Sequence, residues 1–206
     1  MQAVSGRLVT ADELLRMPDE GFKYELVEGR LVALTHAGAQ HGGLTMCLGS
    51  ALYRFVEQHD LGVVLAAETG FQLAHDPDTV RAPDVSFVRK ERLPKAGLPA
   101  GYWQGPPDLA VEVMSPNDST PAIERKVREY LRQGVRLVWV VVPRKRAVAV
   151  YHADPSDHSG AHADLAPEML SERDVLDGGD VVPGFRLPLA SVFADRTNSR
   201  SLIPDP

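Results

Sequence analysis

The stretch from Pro106 to Pro143, PPDLAVEVMSPNDSTPAIERKVREYLRQGVRLVWVVVP, decides the fold. Its first part, Leu109 to Met114, is a short apolar run bounded by Pro-Asp and Ser-Pro, the pattern of a strand buried on both faces. A helix over Pro121 to Gln133 follows. Thr120 supplies the N-cap, Pro121 takes the first helical position, Ile123, Val127, Tyr130 and Leu131 recur at helical spacing, and Gly134 terminates it. Arg136 to Val142 is a second β-rich run. Strand, helix and strand in this order predict a right-handed parallel crossover at the centre of the fold.

Downstream, Ala147 to His152 is separated from that run by the turn Pro143-Arg-Lys-Arg146, which predicts an antiparallel hairpin. Upstream, Thr10 and Glu13 make a capping-box pattern for a helix over Ala11 to Met17, stopped by Pro18. Tyr24 to Leu34 (YELVEGRLVAL) carries Glu-Gly near its middle and reads as a hairpin or a bulged strand. Leu44 to His59 is an amphipathic helix, and Val63 to Leu73 and Pro83 to Val88 are strand candidates. The tail adds short strands and a final turn. The fold class is α+β, with a mixed β-sheet flanked by helices.

The chain has 206 residues, 44% of them hydrophobic and 24% charged, with a formal net charge of −6. Such a length and composition predict a single globular domain over residues 1–206, with a core from about 10 to 193 and a tail from 194 to 206. His152 to Asp164, rich in His, Asp, Ser, Gly and Ala, reads as a flexible loop; its three histidines lack a periodic framework that would hold metal. The longest purely apolar stretch, Leu137 to Val142, is far short of the roughly 20 residues that cross a bilayer, and no basic-then-apolar leader opens the chain. The single cysteine, Cys47, excludes an intrachain disulfide and a multi-cysteine zinc site, as fits a reducing cytoplasm. Net negative charge argues against indiscriminate nucleic-acid binding. The exception is residues 121–150, where eight Lys and Arg face only Glu124 and Glu129, and where Arg144-Lys145-Arg146 forms a basic projection or simply a solvated hairpin tip.

Glu112 is the informative anomaly: a carboxylate inside LAVEVM. Burying it unpaired costs several kcal/mol, so it is neutralised, paired or bound to a cation. Asp84, after Pro83 and before Val85, Phe87 and Val88, is a second acid opening an apolar strand, either a turn residue or a ligand. Two such acids on adjacent strands are enough for a hard divalent ion such as Mg²⁺, which keeps most of its water. Glu25, beside Leu26 and Val27, is a third, and Glu28 at the turn is a further acid that would extend the cluster.

The cation comes from the helix after Glu112. With Ile123 at 0° and about 100° per residue, Val127, Tyr130 and Leu131 define the buried stripe, and Arg125, Arg128 and Arg132 point away from it. Lys126 falls at the stripe's edge. A lysine there either snorkels to water or reaches a site beside the sheet.

Together these residues resemble a known group. Pro83-Asp84 followed by Glu112-Val113-Met114 is similar to the PD-(D/E)XK nuclease signature. More closely, YELVEG at 24–29, a helix opened by His41, RAPDVSFV at 81–88, PPDLAVEVMSPNDS at 106–119 and ERKVREYLRQGVRLVWVVVP at 124–143 resemble the Uma-two family, grouped with restriction endonucleases. The resemblance runs from about Thr10 to Phe193. Met114 stands where the superfamily signature has Lys, and Lys126 on the following helix matches the displaced lysine.

The resemblance implies a restriction-endonuclease-like core and a Mg²⁺-dependent endonuclease, with Mn²⁺ as a substitute ion and DNA as the partner. It implies that Asp84, Glu112 and the backbone carbonyl of Val113 hold the metal, that Glu25 contributes from the N-terminal part, and that Lys126 positions or activates water. His41 is either a phosphate or acid-cluster contact or a helix-start residue without a catalytic task. Two further readings share the scaffold: a non-catalytic interaction module whose acids are neutralised by local arginines, and a hydrolase of some smaller phosphoester. A homodimer is the form in which two such sites would cut both strands.

Overall fold

The computed structural model describes residues 7–18, 21–153 and 166–194. The chain opens with α1 (Ala11–Arg16), held by the expected capping box: Thr10 accepts from the Glu13 N–H while the Glu13 side chain bonds back to the Thr10 N–H. The YELVEG run is a hairpin rather than a bulged strand. β1 (Lys23–Val27) and β2 (Arg30–Leu34) are antiparallel, and Glu28 and Gly29 take φ of 48° and 73° at the turn.

Next come α2 (Ala39–Gln58), β3 (Gly62–Ala66), β4 (Phe71–Ala74), β5 (Thr79–Arg81), β6 (Val85–Arg89), β7 (Trp103–Gln104) and β8 (Leu109–Val113). The central unit follows as α3 (Thr120–Arg132), β9 (Leu137–Val142) and β10 (Ala147–His152). β11 (Glu168–Ser171), β12 (Val175–Asp177), β13 (Arg186–Pro188) and α4 (Leu189–Val192) complete the described chain.

Four local expectations change. The run Val63 to Leu73 is not one strand: Glu68 adopts φ 76° in a turn that sends β3 and β4 into different sheets. β5 went unread because its Thr-Val-Arg is too short for periodicity to register. α2 begins earlier than expected, so His41 lies in its first turn. α3 is capped by Ser119, whose side chain accepts from the Ala122 N–H, rather than by Thr120, which has joined the helix. Most of the proposed flexible loop, with His158 and His162, and nearly all of the tail lie outside the described residues.

Two mixed sheets, rather than one, make the frame. The larger runs β11-β10-β9-β8-β6-β3 and the smaller β2-β1-β5-β4-β7. β8 and β9 pair in parallel from Leu109↔Leu137 to Val113↔Val141, as the strand–helix–strand order requires, and β9–β10 is the expected antiparallel hairpin.

Side-chain alternation along β8 sets the site. Leu109, Val111 and Val113 face a core built from Leu44, Leu48, Leu52 and Val56 of α2. Ala110 points the other way, into a core with Val127, Tyr130 and Leu131 of α3 and with Phe71, Leu73 and Trp103 of the smaller sheet. Glu112 shares the Ala110 face, so a strand buried along its whole length turns its one charge toward α3.

Candidate active site

Glu112 meets α3 at two residues one helical turn apart. Lys126 Nζ lies 2.8 Å from Glu112 Oε1, and the Tyr130 hydroxyl donates to the same oxygen at 2.7 Å. The (i, i+4) spacing puts both donors on one face of the helix. Lys126 therefore reaches inward: its side chain is 13% exposed, and Nζ also contacts Glu25 Oε1 at 3.1 Å.

Glu25 comes from the smaller sheet. Its β1 neighbour Leu26 pairs with Val80 of β5, and one step further along that register Arg81 stands beside Glu25. Arg81 donates to Glu25 Oε2 at 2.7 Å, and the Ala82 N–H donates to Glu25 Oε1 at 3.1 Å. The rest of the guanidinium is spent on α3, with Nε at 2.8 Å and Nη2 at 2.6 Å from the two carboxylate oxygens of Glu129. This two-pronged pair is the geometry that arginine matches and lysine does not. Arg81 thus ties β1 to α3 through two acids.

Asp84 arrives through β6. Val85 pairs with Val111 of β8, and the same antiparallel register carried one residue on puts Asp84 opposite Glu112. Asp84 Oδ2 accepts from the Val113 N–H at 2.7 Å and sits 3.1 Å from His41 Nε2. The other His41 nitrogen, Nδ1, is 3.4 Å from Thr45 Oγ1. Val113 thus meets the acid pair through its N–H.

The structure accordingly brings Glu25, Asp84, Glu112, Val113, Lys126 and His41 into one region. Glu28 does not join them: it is exposed in the hairpin turn, and its N–H donates to Thr79 Oγ1. Arg81, Glu129 and the Tyr130 hydroxyl are the members that sequence reasoning missed. Arg81 carried the same signal as Glu112, a charge beside an apolar strand. Tyr130 was legible only as part of the apolar stripe, since periodicity does not distinguish a ring from the hydroxyl on it.

The charges are strongly biased by their surroundings. Burial works to raise the pKa of Glu25, but the Lys126 and Arg81 charges and the Ala82 N–H outweigh it and hold the carboxyl at about 2. Glu112 goes the other way, to about 7, because burial and the neighbouring Asp84 and Glu25 charges outweigh Lys126. Burial opposes the Lys126 charge, yet Glu112 and Glu25 raise its pKa, so the ammonium stays protonated. His41 is raised by its hydrogen bond to Asp84.

The site has spare coordinating capacity. Asp84 Oδ1 and Glu112 Oε2 accept no hydrogen bond from the described residues. No set of three His, Cys, Asp or Glu side chains among the described residues is arranged as a metal cage. Two carboxylates without a cage suit Mg²⁺, which binds through one or two acids and retains its water, better than they suit zinc.

A cleft of about 1020 Å³ is lined by Glu25, His41, Arg81 and Asp84 of this region, and not by Glu112 or Lys126. Basic residues elsewhere are largely engaged. Arg146 pairs with Glu172, Arg136 with Asp180 and Arg128 with Glu124, while Arg144 donates to the Pro116 carbonyl. No helix of the described residues is long and apolar enough to cross a membrane.

Comparison with known proteins agrees with this frame. Residues 11–190 match the family model Uma2, described as "Putative restriction endonuclease". A crystal structure from Anabaena variabilis ATCC 29413, of "a putative nuclease belonging to DUF820", superposes with a TM-score of 0.74 at 19% identity. The match covers 90% of this chain and 97% of that one, and it shows a shared fold. No curated protein matches the sequence. With the match spanning nearly the whole described core, the chain belongs to the Uma2 family.

Proposed function

We propose that the protein is a Mg²⁺-dependent endonuclease that hydrolyses phosphodiester bonds in DNA, with Mn²⁺ able to substitute. One observation carries the reading: Asp84, just ahead of β6, and Glu112, on the paired strand β8, each keep a carboxylate oxygen that accepts no hydrogen bond from the described residues, while the Lys126 ammonium stands against Glu112. The Uma2 family description and the shared fold of a protein described as a nuclease point the same way.

Asp84 and Glu112, with the Val113 carbonyl, would hold the metal. When bound, Mg²⁺ neutralises charge growing on the phosphate and lowers the pKa of a bound water. The chain's own groups do the rest. The Val113 N–H and His41 fix the Asp84 carboxylate through Oδ2 and leave Oδ1 available. Tyr130 and Lys126 do the same for Glu112 through Oε1.

Because Lys126 stays protonated, it serves as a donor that orients the attacking water and stabilises developing negative charge, not as a base. Glu25, itself held by Arg81, pairs with that ammonium and keeps it in place. The reading of a neutralised, non-catalytic scaffold fits Glu25, whose oxygens are all engaged, but not Asp84 and Glu112. Nicking of supercoiled plasmid that requires Mg²⁺, stops with EDTA and disappears in Asp84→Asn supports the endonuclease. Nicking that survives Asp84→Asn counts against it.

A further inference from the structure

β3 ends the larger sheet. It pairs with β6 from Gly62↔Arg89 to Ala66↔Val85 without a bulge, and among the described residues no strand lies on its other side. Two bonds fix which backbone groups face which way: the Asp108 N–H donates to the Phe87 carbonyl, and the Lys90 N–H donates to the Leu61 carbonyl. Phe87, opposite Val64, therefore spends its groups on β8, while Val63 and Leu65 bond to β6. Val64 turns its N–H and C=O outward, with those of Gly62 and Ala66 on either side. The Ala66 carbonyl accepts from the Thr69 N–H, but the two Val64 groups have no partner among the described residues.

The cleft reaches this edge. Val64 packs against the core beneath α2 and Leu65 against the core beneath α3, on opposite faces of the sheet, yet both line the cleft. Only its edge is common to the two faces of a strand, so the cleft opens along the unpaired side of β3. Open edges are ordinarily blunted by a charge, a proline, a bulge or shortness. The other edges of the two mixed sheets follow this rule: β2 starts with Arg30, β11 starts with Glu168, and β7 has two residues. β3 has none of these devices, and the chain is uncharged from Leu61 to Ala67.

The edge is also complementary to itself. About a two-fold axis at Val64, Val64 pairs with its copy, Gly62 with Ala66 and Val63 with Leu65, so that each outward N–H meets an outward carbonyl. Charge fits as well. The ion pair Asp60–Lys90 stands at one end of β3 and Lys23–Glu68 at the other, and antiparallel pairing sets these two neutral pairs side by side. Paired strands alone make a small interface, but Tyr53, 50% exposed, and Met46, 68% exposed, line the same cleft and add apolar area to it.

We infer that β3 pairs antiparallel with β3 of a second copy of this chain about a two-fold axis at Val64, joining the two six-stranded sheets into one. Such an axis runs perpendicular to the sheet and maps each face onto itself. The two candidate sites then open on one side of the dimer, with their Asp84 residues about 25 Å apart in the plane of the sheet. On the endonuclease reading, this arrangement presents two sites to two strands.

The test is the mass of the full chain in solution by light scattering, without metal or nucleic acid. The native protein should have twice the 22.5 kDa of one chain. Val64→Pro removes an outward N–H and no bond to β6, and should give a folded monomer. A second variant reads the register: Val63→Cys with Leu65→Cys in a Cys47→Ser background. Across the axis these positions form non-hydrogen-bonded pairs with Cα atoms about 4.5 Å apart, within disulfide reach. Air oxidation should join the chains into a covalent dimer on a non-reducing gel, whether or not Val64→Pro folds. A native protein that stays monomeric at the highest concentration reached overturns the inference and leaves the edge to an extended segment of another protein. A dimer that persists in Val64→Pro and does not crosslink through the cysteine pair also overturns it, since the copies then meet elsewhere. Neither readout involves metal or cleavage, so failure here is separate from failure of the nuclease reading.

Discussion

Lys126 Nζ stands 2.8 Å from Glu112 Oε1, across the space between α3 and β8. Position 114, where the PD-(D/E)XK signature has Lys, is Met in this chain, and Lys126 is proposed to take that lysine's role. Lys126→Met should lower nicking by at least about 100-fold, the typical loss when a charge-stabilising donor is removed. Mg²⁺ affinity should not fall, since the lysine competes with the ion for the same carboxylate. Titration calorimetry beside a nicking assay checks both, and loss of metal binding together with activity would assign Lys126 a structural role instead.

Arg81 joins Glu25 to Glu129, and with them the smaller sheet to the helix that carries Lys126. Arg81→Ala takes the guanidinium from Glu129 and leaves the buried Glu25 with only Lys126 and the Ala82 N–H, and should destabilise the fold by about 3 kcal/mol in urea melts. Arg81→Lys should recover only part of this, because an ammonium cannot reproduce the two-pronged Glu129 contact.

Glu25 makes stability depend on acid. Its carboxyl is held at about 2 in the folded protein against an ordinary 4.5. The ionised form is favoured by folding, so its contribution is complete above pH 4.5 and is lost as pH falls from there toward 2. Urea midpoints measured across that window should drop steeply for the native protein and less steeply for Glu25→Gln.

Glu112 has the opposite sign. Its pKa is raised to about 7, so folding favours the protonated form, and the stability it confers fades as pH rises from 4.5 through 7. Glu112→Gln should therefore unfold at a higher temperature than the native protein at pH 8 in the absence of metal. Metal requires the carboxylate, so Mg²⁺ affinity of the native protein should increase between pH 6 and 8. A flat affinity over that range would contradict the assignment.

Much of this was legible in the sequence because the decisive residues broke a pattern. Glu112 interrupts a run that has to be buried, and Lys126 falls at the edge of a well-defined apolar stripe; both led to the region where they meet. The strand–helix–strand order likewise fixed the parallel pairing of β8 and β9. The division into two sheets was hidden, since it depends on a turn at Glu68 that no proline or Asn-Gly pair announces. Arg81's partnership with Glu129 was hidden for a different reason. Residues 48 positions apart meet only through packing of α3 against the smaller sheet, and one sequence carries no record of that distance.

The central claim is that Asp84 and Glu112 bind a divalent ion that the reaction needs. The most direct measurement is isothermal titration of Mg²⁺ and Mn²⁺ into the native protein and into Glu112→Ala, with plasmid nicking followed on the same preparations. The account predicts that both ions bind the native protein and that binding and nicking vanish together in Glu112→Ala. A native protein that binds neither ion and cuts nothing, or a Glu112→Ala variant that still binds and cuts, would contradict it.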